Sequence, residues 1–298
     1  MEPRHSFVAI LNMRILVTGA EGILGRAIRE WLASGNTLYL WGRDEVDVRD
    51  RDRVFAAAKG IEFDAVIHAA AMTAVDRCET EFDLAMATNR DGTRHVASLA
   101  SERGATMVYL STDYIFDGTK DGPYLEDDPP KPINAYGRSK LAGEEVTRET
   151  AKKHLTVRTS WVFGEGGANF VDAIAGKLNK GEAPEVVTDQ RGSPTYARDL
   201  ARGIEKLLRL GTTGIVHVTN SGDTTWHGFA VEIARYLGSP LPVRETTSDK
   251  FKRPAPRPTN SVLSGDRFRA LTGESLPAWQ DAVHDYLGRT SARKGAAA

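Results

Sequence analysis

The chain has 298 residues, which is long for one compact domain and suits two smaller domains that share an interface. Its formal net charge of −1 at pH 7 provides no electrostatic reason for binding nucleic acid or an anionic membrane. No segment reaches the ~18 apolar residues of a membrane-spanning helix, and the single cysteine, Cys78, excludes an internal disulfide, so we expect a cytoplasmic protein without a membrane partner.

The first half of the chain alternates β-branched runs with segments of helical periodicity. This alternation implies right-handed βαβ units and a parallel sheet that is covered on both faces. We therefore predict an α/β fold with a doubly wound, Rossmann-type parallel sheet. The predicted strands are Arg14–Thr18, Thr37–Leu40, Ala65–His68, Met107–Leu110 and Leu155–Arg158, and the predicted helices are Ile23–Ala33, Asp52–Lys59, Ala85–Arg103 and Tyr136–Lys152.

The pattern becomes less regular after Trp161, which predicts a smaller α/β substrate-binding lobe. Residues 13–165 are expected to form the dinucleotide-binding domain and residues 166–290 mainly the substrate lobe, with some elements returning to the first domain. Residues 1–12 and 291–298 are expected to be flexible ends. The elements predicted in this half are strands Glu185–Thr188 and Gly214–Thr219, helices Ala168–Asn179, Ala197–Leu210, Trp226–Leu237 and Pro277–Leu287, and an Arg- and Pro-bearing loop at 250–258.

A glycine-rich turn connects the first predicted strand to the first predicted helix. Gly19, Gly22 and Gly25 permit a tight turn, close approach of the backbone to a pyrophosphate, and close helix–strand packing. The following helix presents free N–H groups and its positive dipole end to an anion. The alternative is a plain surface turn, but the preceding strand and the following helix favour a dinucleotide-binding site.

The end of the second predicted strand bears on the choice of dinucleotide. NAD-specific sites usually have an acidic residue here, which binds the ribose 2′-hydroxyl. This chain has Arg43 instead, a residue able to cover a 2′-phosphate, so we expect NADPH with NADH as the alternative. A solvated loop arginine is the other interpretation of Arg43. Asp47 and Val48 open the next segment and are expected to lie against the adenine.

Tyr136 and Lys140 form the candidate catalytic pair. A spacing of four residues places both side chains on one face of a helix. Free tyrosine has a pKa of about 10, and a neighbouring cation lowers that pKa, which makes the phenol a usable proton donor. The same spacing also fits a buried tyrosine beside a solvated lysine.

A second candidate group follows the fourth predicted strand, where Ser111, Thr112 and Asp113 stand in sequence. Open α/β sheets bind ligands at the carboxyl ends of their strands. A hydroxyl at that edge, such as that of Thr112, can orient a substrate carbonyl toward the tyrosine. The order of glycine turn, hydroxyl and Tyr/Lys pair resembles that of short-chain dehydrogenase/reductases.

The chain as a whole resembles the dTDP-4-dehydrorhamnose reductase family, which is an extended type of short-chain dehydrogenase/reductase. The resemblance runs from Met13 to about Gly288. The stretches that carry it are 68–76, 110–118, 136–140, 158–164, 189–195 and 257–261.

The resemblance implies reduction of the 4-keto group of dTDP-4-dehydro-L-rhamnose to dTDP-L-rhamnose, with hydride from NAD(P)H. Tyr136 would donate the proton, Lys140 would hold the nicotinamide ribose, and Thr112 would position the carbonyl. The partner implied is a dTDP-linked keto-deoxysugar. The residues that would bind the cofactor are Gly19, Gly22, Ile23, Leu24, Gly25, Arg43, Asp47, Val48, Ala71, Thr73, Tyr136 and Lys140. Those that would bind the substrate are Thr73, Val75, Thr112, Asp113, Trp161, Gln190 and Arg257.

Two of these residues have plain structural alternatives. The Trp161 indole would form a flat wall against a deoxysugar, and it equally fits an ordinary core position. Arg257, with Arg253 nearby, would bind the substrate diphosphate, and it equally fits a solvated basic loop.

One departure from the family concerns metal. Some family members have a glutamate-built magnesium site at a dimer interface, but here Arg26 and Ala27 follow the glycine turn. We therefore predict no metal, and either a monomer or a homodimer.

Two other functions remain open at this point. One is a reductase or epimerase acting on a different nucleotide-linked keto-sugar. The other is a non-catalytic NADP-binding regulatory subunit. The presence of Thr112, Tyr136 and Lys140 together weighs against the second, since a protein that only binds the dinucleotide has no need of all three.

Overall fold

The computed structural model describes residues 12–296, without the side chains of residues 293–296. Of the two ends predicted to be flexible, residues 1–11 and 297–298 lie outside the described residues. Residues 291–296 were also predicted to be flexible, but they continue the last helix, which runs from Trp279 to Ala296. Alanine, arginine and lysine predominate in this stretch, and their high helix propensity explains why the helix extends into it. The flexibility of this end stays a prediction.

A six-stranded parallel sheet forms the centre of the molecule and confirms the doubly wound α/β fold. Its strands lie in the order β10-β5-β4-β3-β1-β2. The chain adds β2 on one side of β1 and then adds β3, β4 and β5 on the other side. Such a switch point, here between β1 and β3, opens a crevice at the carboxyl ends of the strands. The strands are β1 (Arg14–Thr18), β2 (Thr37–Trp41), β3 (Ala65–His68), β4 (Thr106–Thr112), β5 (His154–Thr159) and β10 (Gly214–His217).

Helices cover both faces of this sheet because its strands are apolar on both sides. One face packs against α1 (Ile23–Leu32) and α8 (Ala197–Arg209). The other face packs against α2 (Arg51–Ala57) and α5 (Thr93–Glu102), and α6 (Ala135–Thr150) lies beside α5.

The single helix predicted at 85–103 is built from three parts. Helix α4 (Phe82–Met86) leads into a π-helical turn at Ala87–Gly92, which continues into α5. Helix α3 (Val75–Thr80) precedes α4 and was not predicted. A 3₁₀ turn at Asp113–Ile115 follows β4 and directs the chain away from the sheet edge.

The second lobe has its own aromatic core, which includes Phe163, Tyr196, Phe229, Trp279 and Tyr286. Three short parallel or antiparallel strand pairs frame this core. The lobe's helices are α7 (Phe170–Asn179), α9 (Trp226–Tyr236) and α11 (Trp279–Ala296), and the strand pairs are β6 (Val162–Phe163) with β9 (Thr195–Tyr196), β7 (Glu185–Val187) with β12 (Arg244–Thr246), and β8 (Arg191–Gly192) with β11 (Thr224–Thr225).

Three elements of the second half belong to the first core. Strand β10 pairs with β5, and α8 packs on α1. Helix α10 (Asp266–Thr272) adds Phe268 to the same core. The crevice therefore lies between a sheet completed by the second half and a lobe attached to it.

Within residues 12–296, no helix combines the length and the apolar character needed to cross a membrane.

Candidate active site

A cavity of about 810 Å³ lies at the carboxyl ends of the sheet strands. Its volume is in the range of small-molecule and cofactor sites. Residues of both lobes line it, so the cavity separates the nucleotide-binding sheet from the aromatic core of the second lobe. The predicted site residues that line it are Gly19, Gly22, Ile23, Leu24, Gly25, Arg43, Asp47, Val48, Ala71, Thr73, Val75, Thr112, Asp113, Tyr136, Lys140 and Trp161.

The glycine turn forms one end of the cavity, and its backbone leaves no room for side chains. Gly19 has φ +70°, and a Cβ there would lie 2.6 Å from the Ala70 nitrogen. A Cβ on Gly25 would lie 2.3 Å from the carbonyl oxygen of Gly19. No side chain caps α1 at Gly22, so the first N–H groups of the helix are available to an anion. This cradle fits the diphosphate of a dinucleotide.

Two arginines flank the part of the cavity where Asp47 and Val48 lie. Arg43 is exposed, and Arg49, which sequence analysis missed, also lines the cavity. Arg49 Nε lies 2.9 Å from Asp47 Oδ1. Hydrogen bonds from Arg49, helped by the nearby charge of Arg43, lower the pKa of Asp47 to about 2. Two guanidinium groups in this position suit the extra phosphate of NADPH.

Tyr136 enters the cavity from the first turn of α6. The Asn134 side chain caps this helix by accepting a hydrogen bond from the Gly137 nitrogen at 2.7 Å. The Thr112 side chain lies beside the Tyr136 phenol and acts to lower its pKa. Its ring meets the edge of the Tyr114 ring, with the two centroids 6.0 Å apart.

The pKa of Tyr136 differs from the sequence-based expectation. Lys140 was expected to lower this pKa, but burial raises it above the usual value for tyrosine, and the Thr112 side chain opposes burial only in part. Lys140 is itself buried, and burial lowers its pKa to about 7. Burial is therefore the largest influence on this pKa, and the phenol holds its proton at neutral pH.

Thr112 and Asp113 lie at the end of β4 as predicted. The Thr112 hydroxyl donates a hydrogen bond to Asp113 Oδ1 at 2.9 Å. Asp113 is 2% exposed, and burial raises the pKa of its carboxyl to about 7, although Ser261 and Thr112 act in the opposite direction. Its Oδ2 forms no hydrogen bond of normal geometry within the described part of the chain. A buried oxygen of this kind is costly unless a ligand provides a donor.

The second lobe presents an aromatic wall to the cavity. The indoles of Trp161 and Trp226 stack with centroids 3.5 Å apart and planes at 6°. Trp161 has φ +46°, a conformation that bulky residues rarely adopt without support. A Cβ on Gly192 would lie 2.5 Å from the Trp161 indole. Sequence analysis missed Trp226, since no local pattern connects it to Trp161.

Gln190 and Arg257, both expected at the substrate, are not among the residues that line the cavity. Gln190 Nε2 donates a hydrogen bond to Ser248 Oγ at 2.7 Å. Arg257 Nη1 binds Asp76 Oδ1 at 2.6 Å and, with the neighbouring ion pair of Arg253, ties the 250–258 loop to α3. This pairing lowers the pKa of Asp76 to about 2. These polar groups find partners in the protein, which explains why they do not face the cavity.

The described residues also bear on the metal prediction. Among them, no three His, Cys, Asp or Glu side chains are grouped so that they could hold a metal ion. The metal-free site stays a prediction.

Cys78 is buried, and burial raises the pKa of its thiol to about 11, so it is a poor nucleophile.

Comparisons with known proteins identify relatives over nearly the whole chain. A family model described as the RmlD substrate binding domain matches residues 13–292. A dTDP-4-dehydrorhamnose reductase from Streptomyces griseus is 41% identical over 294 residues, covering 95% of this chain and 95% of that protein. A probable dTDP-4,6-dihydroxy-2-methyloxan-3-one 4-ketoreductase from Streptomyces antibioticus is 40% identical over 277 residues, covering 92% of this chain and 94% of that protein.

Solved structures give the same result. The crystal structure of dTDP-4-dehydrorhamnose reductase from Bacillus anthracis in complex with NADP superimposes with a TM-score of 0.91. The two chains are 35% identical, and the match covers 94% of this chain and 100% of that one.

Proposed function

The chain belongs to the dTDP-4-dehydrorhamnose reductase family, and from this premise we propose that it reduces the 4-keto group of dTDP-4-dehydro-L-rhamnose to give dTDP-L-rhamnose. NADPH is the hydride donor, with NADH as the alternative. The observation that carries the proposal is the arrangement of Tyr136, Thr112 and Lys140 in the same cavity as the uncapped start of α1.

The residues of the glycine turn fit the cofactor diphosphate. The backbone N–H groups of Ile23 and Leu24 bind it, and Gly22 allows its close approach. Gly19 and Gly25 hold the turn in shape. Toward the adenosine end, Asp47 and Val48 border the adenine, while Arg43 and Arg49 bind the 2′-phosphate. Ala71 and Thr73 line the path between the cofactor and the substrate.

The bound cofactor supplies a hydride, and the chain's own side chains supply the proton. The buried Tyr136 phenol retains its proton at neutral pH because its pKa is raised. The oxygen that forms at C4 is a much stronger base than a phenolate, so it takes this proton as its negative charge develops. The Thr112 hydroxyl orients the same oxygen, and the Lys140 ammonium stabilises negative charge around Tyr136.

The substrate is a dTDP-linked keto-deoxysugar held between the two lobes. Trp161 provides a flat apolar surface for the deoxysugar, and Val75 and Thr73 line the same cavity. The unsatisfied Oδ2 of Asp113 accepts a hydrogen bond from a sugar hydroxyl. Gln190 and Arg257 act indirectly, by bonding to Ser248 and Asp76, because neither side chain lines the cavity. We further propose that the protein works in the cytoplasm as a monomer or homodimer.

A direct assay tests this function. Purified protein is mixed with NADPH and enzymatically prepared dTDP-4-dehydro-L-rhamnose, and the loss of NADPH absorbance is followed while the product is identified by mass spectrometry and NMR. We expect turnover to dTDP-L-rhamnose and a lower kcat/KM with NADH. Tight NADPH binding without reduction of any dTDP-keto-sugar would instead identify a non-catalytic dinucleotide-binding protein.

A second candidate function is reduction of a different dTDP-linked keto-sugar. It is favoured by the 40% identity to a probable dTDP-4,6-dihydroxy-2-methyloxan-3-one 4-ketoreductase, which is nearly as high as the identity to the rhamnose-forming relative. The same assay with both keto-sugars separates the two. A higher kcat/KM for the keto-sugar of the second relative would mean that this sugar is the substrate, while the proposed proton and hydride transfer would stay the same.

A further inference from the structure

Tyr109 is a fully buried residue of β4 that lies behind the cavity rather than on its wall. Its side chain contacts Lys140 at two points. The Lys140 Nζ lies over the Tyr109 ring, 4.3 Å from the ring centroid. The Tyr109 hydroxyl donates a hydrogen bond to the Lys140 carbonyl oxygen at 3.1 Å. One side chain therefore supports both the charged group and the backbone of the same lysine.

The Lys140 ammonium has few other means of stabilisation. It is 3% exposed, and no salt bridge to it is formed within residues 12–296. Burial lowers its pKa to about 7, against the attraction of Glu144. Because this pKa is close to neutrality, a modest interaction decides how much of the lysine is charged. The face of an aromatic ring attracts a cation, and this attraction is stronger where water is excluded.

The other ionisable groups around Lys140 do not replace the ring. On its own helix, the Glu144 carboxylate is committed to Arg158, with contacts of 2.9 and 2.8 Å, and the buried Tyr136 keeps its proton. On β3, burial and the charge of Lys140 lower the pKa of His68 to about 3, so that this imidazole is neutral. The His68 ring stacks on Tyr109, with centroids 6.1 Å apart.

The packing around the Tyr109 hydroxyl keeps the ring in place. Gly143 lies one helical turn after Lys140, and a Cβ there would lie 2.0 Å from the Tyr109 hydroxyl oxygen. Only glycine leaves room for the phenol at this point of α6. The ring is thus confined between β3 and α6, with its face toward the lysine ammonium.

We propose that Tyr109 is a positioning residue for Lys140: its ring face keeps the ammonium charged and in place beside the cavity, and its hydroxyl anchors the backbone of the same residue. The inference rests on the proposed function in one respect, since it assigns a role in cofactor binding and proton donation to charged Lys140. It concerns a side chain that touches neither the cofactor nor the substrate.

The test compares Tyr109→Phe, which keeps the ring face and loses the hydroxyl, with Tyr109→Leu, which loses the ring. NADPH binding is measured by fluorescence from pH 5.5 to 9.5, together with kcat/KM over the same range. Binding weakens as pH rises through the Lys140 pKa. Loss of the ring lowers the Lys140 pKa. In Tyr109→Leu we therefore expect the alkaline limb, the part of each profile where the value falls as pH rises, to move to a pH about one unit lower. At a fixed pH above this limb, NADPH affinity and kcat/KM are then each about tenfold lower than in the wild type. In Tyr109→Phe the limb stays in place.

A second pair of variants removes the effect of shape. Phenylalanine and pentafluorophenylalanine, each introduced at position 109 by nonsense suppression, have nearly the same size, but fluorination removes the negative face of the ring. We expect the alkaline limb to move down only with the fluorinated ring, with unfolding temperatures that remain similar. The fluorinated pair also decides the question if Tyr109→Leu fails to fold.

The two readouts separate this inference from the proposed function. NADPH binding reports the charge of Lys140 whether or not a keto-sugar is reduced, so a protein without reductase activity still tests Tyr109. An identical limb for the phenylalanine and pentafluorophenylalanine proteins would overturn the role of the ring. A limb that moves equally in Tyr109→Phe and Tyr109→Leu would assign the effect to the hydroxyl alone and would likewise overturn the role of the ring face.

Discussion

The two walls of the cavity are built in different ways. The sheet wall consists of segments that each follow a parallel strand, so the glycine turn, Thr112 and Tyr136 meet at one edge because the topology aligns the strand ends. The lobe wall consists of Trp161 and Trp226, which are distant in sequence and meet only through packing. The sheet wall is thus set by where each strand ends in a regular sheet. The lobe wall is set by how the side chains of distant segments pack together. We propose that the chemistry belongs to the first wall and substrate selection to the second.

The largest expected effect is on the sheet wall, in Tyr136→Phe. Removal of the proton donor lowers kcat by about 10²- to 10⁴-fold, while the Kd for NADPH changes little because the ring remains. Steady-state kinetics and fluorescence titration measure the two quantities. Tyr114→Phe is the matched control, since its ring also lines the cavity and meets Tyr136 edge to face. An equal loss of kcat in both variants would mean that another group provides the proton.

Gly25→Ala tests the turn of the same wall. Its Cβ would lie 2.3 Å from the Gly19 carbonyl oxygen, so the turn must open and the diphosphate cradle is lost. We expect NADPH affinity to fall about 100-fold, as measured by isothermal titration calorimetry, or ~2.7 kcal/mol of binding free energy. Gly176→Ala is the control, because nothing lies within 4 Å of its Cβ position in α7. That variant should bind NADPH normally and be slightly more stable, by up to about 1 kcal/mol. Normal binding by both variants would argue against the cradle.

Asp113→Asn tests the buried carboxyl at the edge of the sheet wall. The folded protein raises the pKa of Asp113 from 3.8 to about 7, so the carboxyl's contribution to stability is fully present below pH 3.8 and is lost as pH rises through 7. The amide of the variant does not titrate. Relative to the Asp113→Asn variant, the wild type should therefore lose stability between pH 4 and pH 8, on the order of a few kcal/mol.

Urea unfolding at several pH values measures this difference between the two proteins. Because both proteins share every other titrating group, the difference isolates Asp113. A difference in unfolding free energy that does not change with pH would show that the carboxyl is ionised or solvated in the folded state throughout.

On the lobe wall, Trp226→Ala removes the partner that stacks on Trp161. We expect KM for the nucleotide-sugar to rise about tenfold, with little change in kcat and in NADPH affinity, because the deoxysugar loses part of its apolar surface. Trp226→Phe keeps an aromatic partner for Trp161, so its KM for the nucleotide-sugar should lie between that of Trp226→Ala and that of the wild type. A loss of kcat without a change in KM would mean that Trp226 acts in the chemical step rather than in substrate binding. The proposed division of chemistry and substrate selection between the two walls would then be wrong.

The smallest effect is expected for Gln190→Ala. The Gln190 side chain is bonded to Ser248 and does not line the cavity. We therefore expect kcat/KM to stay within about fivefold of the wild type, the equivalent of one neutral hydrogen bond. Steady-state kinetics with the nucleotide-sugar provides the check. A rise in KM as large as that of Trp226→Ala would mean that Gln190 contacts the substrate directly, as the family resemblance first suggested.

The sequence predicted the fold correctly, and most of the residues it predicted for the sheet wall line the cavity. Strands β1 to β5 were placed within two residues of their observed ends, because uninterrupted apolar runs bounded by helical segments are typical of strands buried on both faces. The glycine turn and the Tyr136–Lys140 spacing were predictable for a related reason, since each is contained in one short stretch of chain. Arg49 was missed because nothing near it in sequence distinguishes it from a solvated arginine.

The pattern of residues along the chain was sufficient to define the doubly wound sheet and the glycine turn and to predict which side chains react, since these depend on local periodicity and spacing. Tertiary structure alone decided that Trp226 stacks on Trp161, that Arg257 is paired with Asp76, and that burial raises the pKa of Tyr136. The physical reason is that stacking, ion pairing and desolvation depend on which surfaces meet in the folded chain, and neighbouring residues in sequence do not specify that.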